Sequence, residues 1–181
     1  MDAQTNITNA GQKIRTVDIT VTAAMAALVF LGTYIFKIPT ISGYVHLGDC
    51  MILLTVALFG MKKGAIAGAI GGGLSDFIGG YFYWVVPTLL IKCMWAIVMG
   101  LIMHKVLKDK KGSFLIGAIA GGVLHIIAYT LVRAALYSGK TAIIEIPALT
   151  FQTGAGIVIG FVIYMLLKKS GVAGRLSGMV K

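Results

Sequence analysis

Charged residues are few in this chain: only 12% of its 181 residues are Asp, Glu, Lys or Arg, and just six are acidic. With 58% hydrophobic residues and a mean hydropathy of +0.93, a water-soluble domain of this composition would aggregate. That class is excluded, and the bilayer is left as the solvent. Cysteine is nearly absent. Cys50 and Cys93 form no CxxC and share no zinc-type spacing with histidine, so both read as small buried hydrophobes. There is no GxxxxGK[ST] phosphate loop, so any ATP chemistry belongs to another chain. No nucleophile–base spacing or metal pattern appears either, which disfavours a membrane-embedded enzyme. No long linker or low-complexity tail breaks the sequence. It reads as a single membrane domain over 1–181: a polar segment 1–15, a six-helix bundle 16–167 and a tail 168–181.

What the chain does have is long uncharged runs, at residues 19–36, 112–132 and 146–167. Two exceed the ~20 residues a helix needs to cross hydrocarbon, and the first falls just short. The polar stretch before the first run marks it as a retained helix rather than a cleaved signal. The pattern predicts an all-α, polytopic protein with helices at 16–36, 46–61, 63–78, 87–106, 113–137 and 145–167. Pro87 and Pro147 are expected in the first turns of the fourth and sixth helices. A tight hairpin at 61–64 joins the second and third. Most basic residues then fall on one side: Lys13, Arg15, Lys62, Lys63, Lys105, Lys108, Lys110, Lys111, Lys168, Lys169, Arg175 and Lys181. The other side has Lys37 and Lys140, with Arg133 near its edge. This asymmetry puts the N- and C-termini in the cytoplasm, as six spans require, and locates the protein in the cell membrane. It also accounts for the net charge of +10 without nucleic acid.

The polar residues inside the spans gather in the outer half. Asp76 lies ~20 Å up the third helix and His125 ~21 Å up the fifth. Tyr129 and Arg133 follow His125 on one face. Lys92 is expected ~7 Å below Pro87, with Trp95 a turn deeper. Glu145 opens the sixth helix, and Gln152 and Thr153 share its face. His46 and Asp49 stand at the outer start of the second helix, and Trp84 sits beside the cluster. The inner halves, at 64–68, 96–103 and 160–167, are apolar or small. Ionisable groups in lipid face an interior cavity, so the pattern describes a pocket open outward above a closed floor, and a channel is disfavoured. Trp84 or Trp95 could stack on a ring, while the charged groups could hydrogen-bond it. The competing reading is mutual pairing: Lys92 with Glu145 or Asp76, His125 as a satisfied core residue, and Arg133 snorkelling to the interface. Tyr81 and Tyr83 read equally well as an interfacial belt.

Small residues supply contact faces. Ala23 and Ala27 form a small-xxx-small pair suited to close helix approach, within the bundle or to an outside partner. Gly64, Gly68 and Gly72 have the same spacing and suit packing inside the bundle.

Several segments taken in order carry a resemblance: Ala23-x-x-x-Ala27, His46-Leu47-Gly48-Asp49, Lys62-Lys63-Gly64-Ala65-x-x-Gly68, Ser75-Asp76 and residues 87–92. Together they resemble the substrate-binding S component of an energy-coupling factor (ECF) vitamin transporter, in its riboflavin-type branch. The resemblance covers nearly the whole chain. It implies six helices with both termini inside, and a solute pocket near the outer face capped by the loop 37–47. It also implies that the Ala23/Ala27 face docks an ECF transmembrane coupling protein driven by two cytoplasmic ATPase subunits. ATP is then used by those partners, and no cofactor is expected in this chain. The near balance of Asp49, Asp76 and Glu145 against Lys92 and Arg133 favours a neutral or weakly charged vitamin. A pyridoxine or hydroxymethylpyrimidine type is the first choice, with riboflavin the alternative. A scaffold that binds no solute would leave the outer polar cluster unexplained.

Overall fold

The computed structural model describes residues 15–180; the positions of Lys13 and Lys181, and the rest of the N-terminal segment, lie outside the described residues. The chain runs α1 (Thr16–Tyr34), a two-stranded antiparallel hairpin of β1 (Ile38–Thr40) and β2 (Gly43–Val45), α2 (Asp49–Phe59), α3 (Met61–Ile78), α4 (Phe82–Gly100), α5 (Ser113–Leu136), α6 (Gly139–Lys169) and α7 (Val172–Gly178). A π-helical stretch, Leu101–Val106, extends α4. Among the described residues, four helices are long and apolar enough to cross a membrane: α1, α4 with its extension, α5 and α6. At 11 residues α2 reaches only ~16 Å, and α3 is rich in glycine.

Lipid-facing and protein-facing stripes are plain on α5. Ile116, Ile119, Val123, Ile127 and Leu131 are exposed, whereas Gly117, Gly121, His125, Tyr129 and Arg133 are buried on the opposite face. Apolar residues outside and small or polar residues inside invert the soluble-protein pattern, because the surrounding lipid gains nothing from hiding leucine. α2 is the enclosed element: it packs against α1, α3, α4, α6 and α7, and Ile52, Leu53 and Val56 are fully buried. These residues join Val29, Trp95, Met99, Met103 and Phe114 in one apolar core. Ala65, Ala96 and Met103, from two of the segments expected to be apolar or small, belong to it.

Several expected boundaries are corrected. α4 begins at Phe82 and α6 at Gly139, so Pro87 and Pro147 lie inside their helices rather than in the first turns. For α6 the reason is local: Ser138 caps the helix, its hydroxyl accepting from Thr141 N at 3.1 Å. Most of the expected loop 137–144 is therefore helical, and Glu145 is two turns into α6. The earlier start of α4 likewise carries Lys92 about 15 Å below the helix start, deeper than the sequence suggests. The loop 37–47 is the hairpin plus a short link, and residues 46–48 stay outside α2. The start of α1 is as read: Asp18 bonds back to Arg15 N at 3.3 Å and pairs with Lys63 at 3.1 Å. The tail 168–181 adds α7, packed against α6 and α2.

The small residues set helix separations. Gly64 meets Val56, Gly68 meets Ile52, and Gly72 meets Thr88 and Lys92, so the third-helix glycines serve internal packing. Gly71 is the tightest case against α1, where an added Cβ would stand 2.5 Å from the carbonyl oxygen of Ala26. Gly154 on α6 meets nothing. Gly71→Ala should destabilise the detergent-solubilised protein by about 1–3 kcal/mol through overpacking. Gly154→Ala should be neutral or mildly stabilising through helix propensity. Paired thermal melts check both; equal melting temperatures would contradict the close α1–α3 contact.

Candidate functional site

Two polar layers lie at one end of the bundle. In the deeper one, the Lys92 ammonium on α4 is 1% exposed and donates to Asp49 Oδ1 on α2 and to His125 Nε2 on α5, the latter at 3.2 Å. An ammonium has no acceptor, so His125 Nε2 accepts, and its Nδ1–H donates to Thr153 Oγ1 at 3.1 Å. Thr153 in turn donates to Leu149 O at 2.8 Å. The second oxygen of Asp49 takes a hydrogen bond from Gln152 Nε2 at 2.8 Å, and Gln152 Oε1 accepts from His46 N at 3.3 Å. The structure therefore pairs Lys92 with Asp49, and not with Glu145 or Asp76 as the pairing alternative has it. Trp95 lies below this layer in the apolar core, donating to Ala118 O at 3.1 Å with its ring 4.3 Å from that of His125.

The upper layer surrounds a cavity of about 40 Å³. Of the candidate residues, His46, Asp76, Trp84, Tyr129, Arg133 and Gln152 line it; Asp49, Lys92, Trp95, His125 and Glu145 do not. Thr33, Tyr44, Tyr81 and Thr88 also line it and were not singled out as site residues. Thr88 had a signal, its i, i+4 spacing with Lys92, but Tyr44 and Tyr81 looked like loop and belt aromatics. Trp84 stacks on Tyr129 with ring centroids 5.6 Å apart, and the Arg133 guanidinium lies over the Trp84 ring, 5.2 Å from its centroid. Tyr129 donates to Thr88 Oγ1 at 2.9 Å.

The hairpin closes this cavity and is tied down at three places. The Glu145 carboxylate accepts from Ser42 N (2.6 Å), Ser42 Oγ (2.9 Å) and Thr40 Oγ1 (3.0 Å), and it pairs with Arg133 Nη2 (3.3 Å). Both Glu145 oxygens are thus used inside the protein. Tyr44 donates to Asp76 Oδ1 at 2.5 Å, and burial, reinforced by the Asp76 charge, holds its phenol protonated far above the usual range. Lys37 bonds Ser75 O at 3.3 Å, and its ammonium sits over the rings of Tyr34, Tyr44 and Tyr81. Burial lowers the pKa of Lys37, an effect the Asp76 charge opposes. In the link to α2, His46 Nδ1 accepts from Gly48 N at 3.2 Å, and burial outweighs the Asp49 charge to push the imidazole down to about 3. No group of three His, Cys, Asp or Glu side chains suited to a metal occurs among the described residues.

A hairpin lid over a polar chamber, above an apolar floor, is the geometry of a binding subunit. The family model for "ECF-type riboflavin transporter, S component" matches residues 13–169. The chain belongs to that family. A protein of Pyrococcus woesei, described only as an uncharacterized protein in a gap 3' region, is 35% identical over 132 residues, spanning 73% of this chain and 87% of the relative. As an S component, the chain is a membrane-embedded, substrate-binding transport subunit and not an enzyme.

Glu145→Ala should leave Arg133 as a buried unpaired charge and release Ser42 and Thr40, at a cost of about 3–5 kcal/mol. The lowered melting temperature should come with faster proteolysis or labelling at the hairpin. Loss of stability with an equally protected hairpin would rule out the latch. His46 gives the pH expectation. Its folded pKa lies below the unfolded ~6.5, so the unfolded state binds the extra proton between those values. Stability held by neutral His46 is complete above about 6.5 and declines as pH falls toward 3. Nitrogen-15 NMR of histidine-labelled protein should show His46 neutral at pH 5; an imidazolium signal there would contradict its burial.

Proposed function

We propose that this S component captures a vitamin or vitamin precursor at the outer face of a prokaryotic cell membrane and hands it to an ECF transmembrane coupling protein driven by two cytoplasmic ATPases. The observation that carries the reading is the position of the chamber. It is capped by the hairpin, walled by Trp84, Tyr129, Asp76 and Arg133, and backed by an apolar core that offers no polar route onward. A subunit of this shape binds solute but does not release it to the other side unaided. On this reading α1 to α6 are six spans with both ends in the cytoplasm, α2 being a short one enclosed by its neighbours. The chamber is at the extracytoplasmic end because Lys62, Lys63, Lys105, Lys108 and Lys168 mark the opposite one. The cavity as it stands is too small for a heterocycle, given that small-molecule sites run to about 300–1,000 Å³. The hairpin and its latches open and reclose around cargo. ATP and all other cofactors belong to the partners.

The partner face is a second feature of the same reading. A groove of about 1,080 Å³ runs along α1 and α3, lined by Ala23, Ala26, Ala27, Ile66, Ile70 and Leu74, with Arg15, Lys62 and Lys63 at its cytoplasmic end. Ala23 is the least obstructive side chain short of glycine, and a coupling-protein helix can approach there closely. The cargo is a pyridine- or pyrimidine-type vitamin, supported by the small chamber and its balanced charges; riboflavin, the name borne by the family, is the second reading.

Ala23→Phe with Ala27→Phe should abolish uptake by cells expressing the complete transporter while leaving cargo affinity of the isolated chain intact. A loss of affinity would move the alanines into the bundle's own packing. Mass spectrometry of small molecules copurified with the chain should find a vitamin-sized heterocycle. Neither a copurified solute nor binding of any vitamin tested would favour a scaffold.

A further inference from the structure

The chamber is bordered by a hydroxyl that the protein itself leaves unused. Among the described residues, Thr33 is the one residue of α1 that lines the cavity, and it is 2% exposed. Its Oγ1 is buried without a hydrogen-bond partner. A threonine inside a helix readily donates its hydroxyl to the carbonyl one turn back. Thr20, Thr22, Thr55, Thr130 and Thr153 all do so here, to Thr16, Asp18, Met51, Ile126 and Leu149. Thr33 makes no such bond to Val29 O. A buried hydroxyl left unbonded is costly, and such an exception calls for a partner from outside the chain.

A second donor stands beside it. Gly48 packs so closely on α1 that a side chain there would collide with Thr33 Oγ1. The same Gly48 donates its N–H to His46 Nδ1 at 3.2 Å, which leaves the imidazole hydrogen on Nε2. What lies within reach of that hydrogen is Gln152 Nε2 at 3.4 Å, itself a donor. The amide cannot turn round to help, because its Nε2 serves Asp49 and its Oε1 takes His46 N. His46, 7% exposed and lining the same cavity, therefore brings a second hydrogen that the protein does not answer.

Resting on the reading of this cavity as the cargo site, we propose that Thr33 is a cargo-binding residue, its hydroxyl and the neighbouring His46 Nε2–H both donating to acceptor atoms of the cargo. This wall asks for a carbonyl oxygen, a hydroxyl oxygen or a ring nitrogen. A buried donor hydrogen is harder to leave unpaired than a spare lone pair, which sets the direction of the Thr33 bond. The assignment holds whichever ring the cargo carries. It also gives α1 a part in capture. That helix packs mainly on α3 and α2, and its buried residues are Ala26, Val29 and Thr33. One end of it lines the groove with Ala23, Ala26 and Ala27, and the other reaches the chamber through Thr33. Cargo bonded to Thr33 thus holds against the chamber the same helix that carries the groove.

The test is calorimetry on the full chain in lipid nanodiscs, with pyridoxine, 4-amino-5-hydroxymethyl-2-methylpyrimidine and riboflavin as probes. The probe that binds the native chain most tightly is then titrated into the variants. Thr33→Val keeps the shape and deletes the hydroxyl. It should weaken binding about 2- to 12-fold, the range for one hydrogen bond. Its cargo-free melting temperature should not fall, because the hydroxyl it loses has no partner in the protein. Thr33→Ser restores a hydroxyl and should recover most of the lost affinity. Proton and nitrogen-15 NMR of native, histidine-labelled protein adds a measurement that needs no variant. On binding of the probe, the His46 Nε2–H proton should move downfield and exchange more slowly with water. Unchanged affinity in Thr33→Val, with or without a lower melting temperature, overturns the assignment and leaves the cavity as the cargo site. An unmoved His46 Nε2–H does the same. Binding of none of the three probes to the native chain overturns the cavity reading and the Thr33 contact together.

Discussion

A lysine ammonium at 1% exposure, deep in a lipid-embedded bundle, is the constraint around which the polar end of this protein is arranged. Lys92 is tolerable there only because Asp49 and His125 meet it, and each of those is held in turn by Gln152 and Thr153. Four helices, α2, α4, α5 and α6, are thereby fixed against one another through directional bonds. Apolar packing against lipid could not do this, since leucine against leucine and leucine against an acyl chain differ little. The tautomer of His125 is fixed by the same chain, and its ring caps Trp95, where the polar layer gives way to the apolar core. Lys92, Asp49 and His125 roof the apolar core, and Gln152 and His46 join them to the wall of the chamber.

Above that layer the structure treats its polar groups in two ways. Glu145 spends every lone pair on the hairpin and on Arg133, which makes it a fastening of the lid. Asp76 and Arg133 both line the cavity, Asp76 accepting from Tyr44 and Arg133 pairing with Glu145. Lid and chamber are therefore not independent. Tyr44 reaches from β2 to the Asp76 carboxylate, so opening the hairpin changes the environment of a group that lines the cavity. The third working surface, the groove on α1 and α3, is apolar and small-residue lined, on the flank of the bundle rather than at its end. On the proposed reading, capture and hand-over fall on different faces, and the glycines of α3, closing on both α1 and α4, stand between them.

Much of this was legible in the sequence because lipid imposes simple rules. Uncharged runs gave α1, α5 and α6, basic residues marked one end, and hydrophilic residues in the outer halves marked the polar layers. His125, Tyr129 and Arg133 share a face because i, i+4 spacing guarantees it. The helix starts were misjudged where proline was taken as a beginning: Ser138 began α6 two turns before Pro147, and α4 was already under way at Phe82. The hairpin in 37–47 was missed because its strands are three residues each, too short for alternation to register.

What the sequence settled by itself is the solvent, the helical class and which helix faces carry polar residues, since hydropathy and periodicity are properties of one segment at a time. Which partner each charge takes was decided only by the tertiary structure. Lys92 could have met any of three carboxylates; the packing of α2 against α4 and α6 brought Asp49 to it, left Glu145 to the lid and Arg133, and left Asp76 to Tyr44 at the chamber wall. Pairing is a matter of distances between helices, and those are set by where glycine and alanine let the backbones close up.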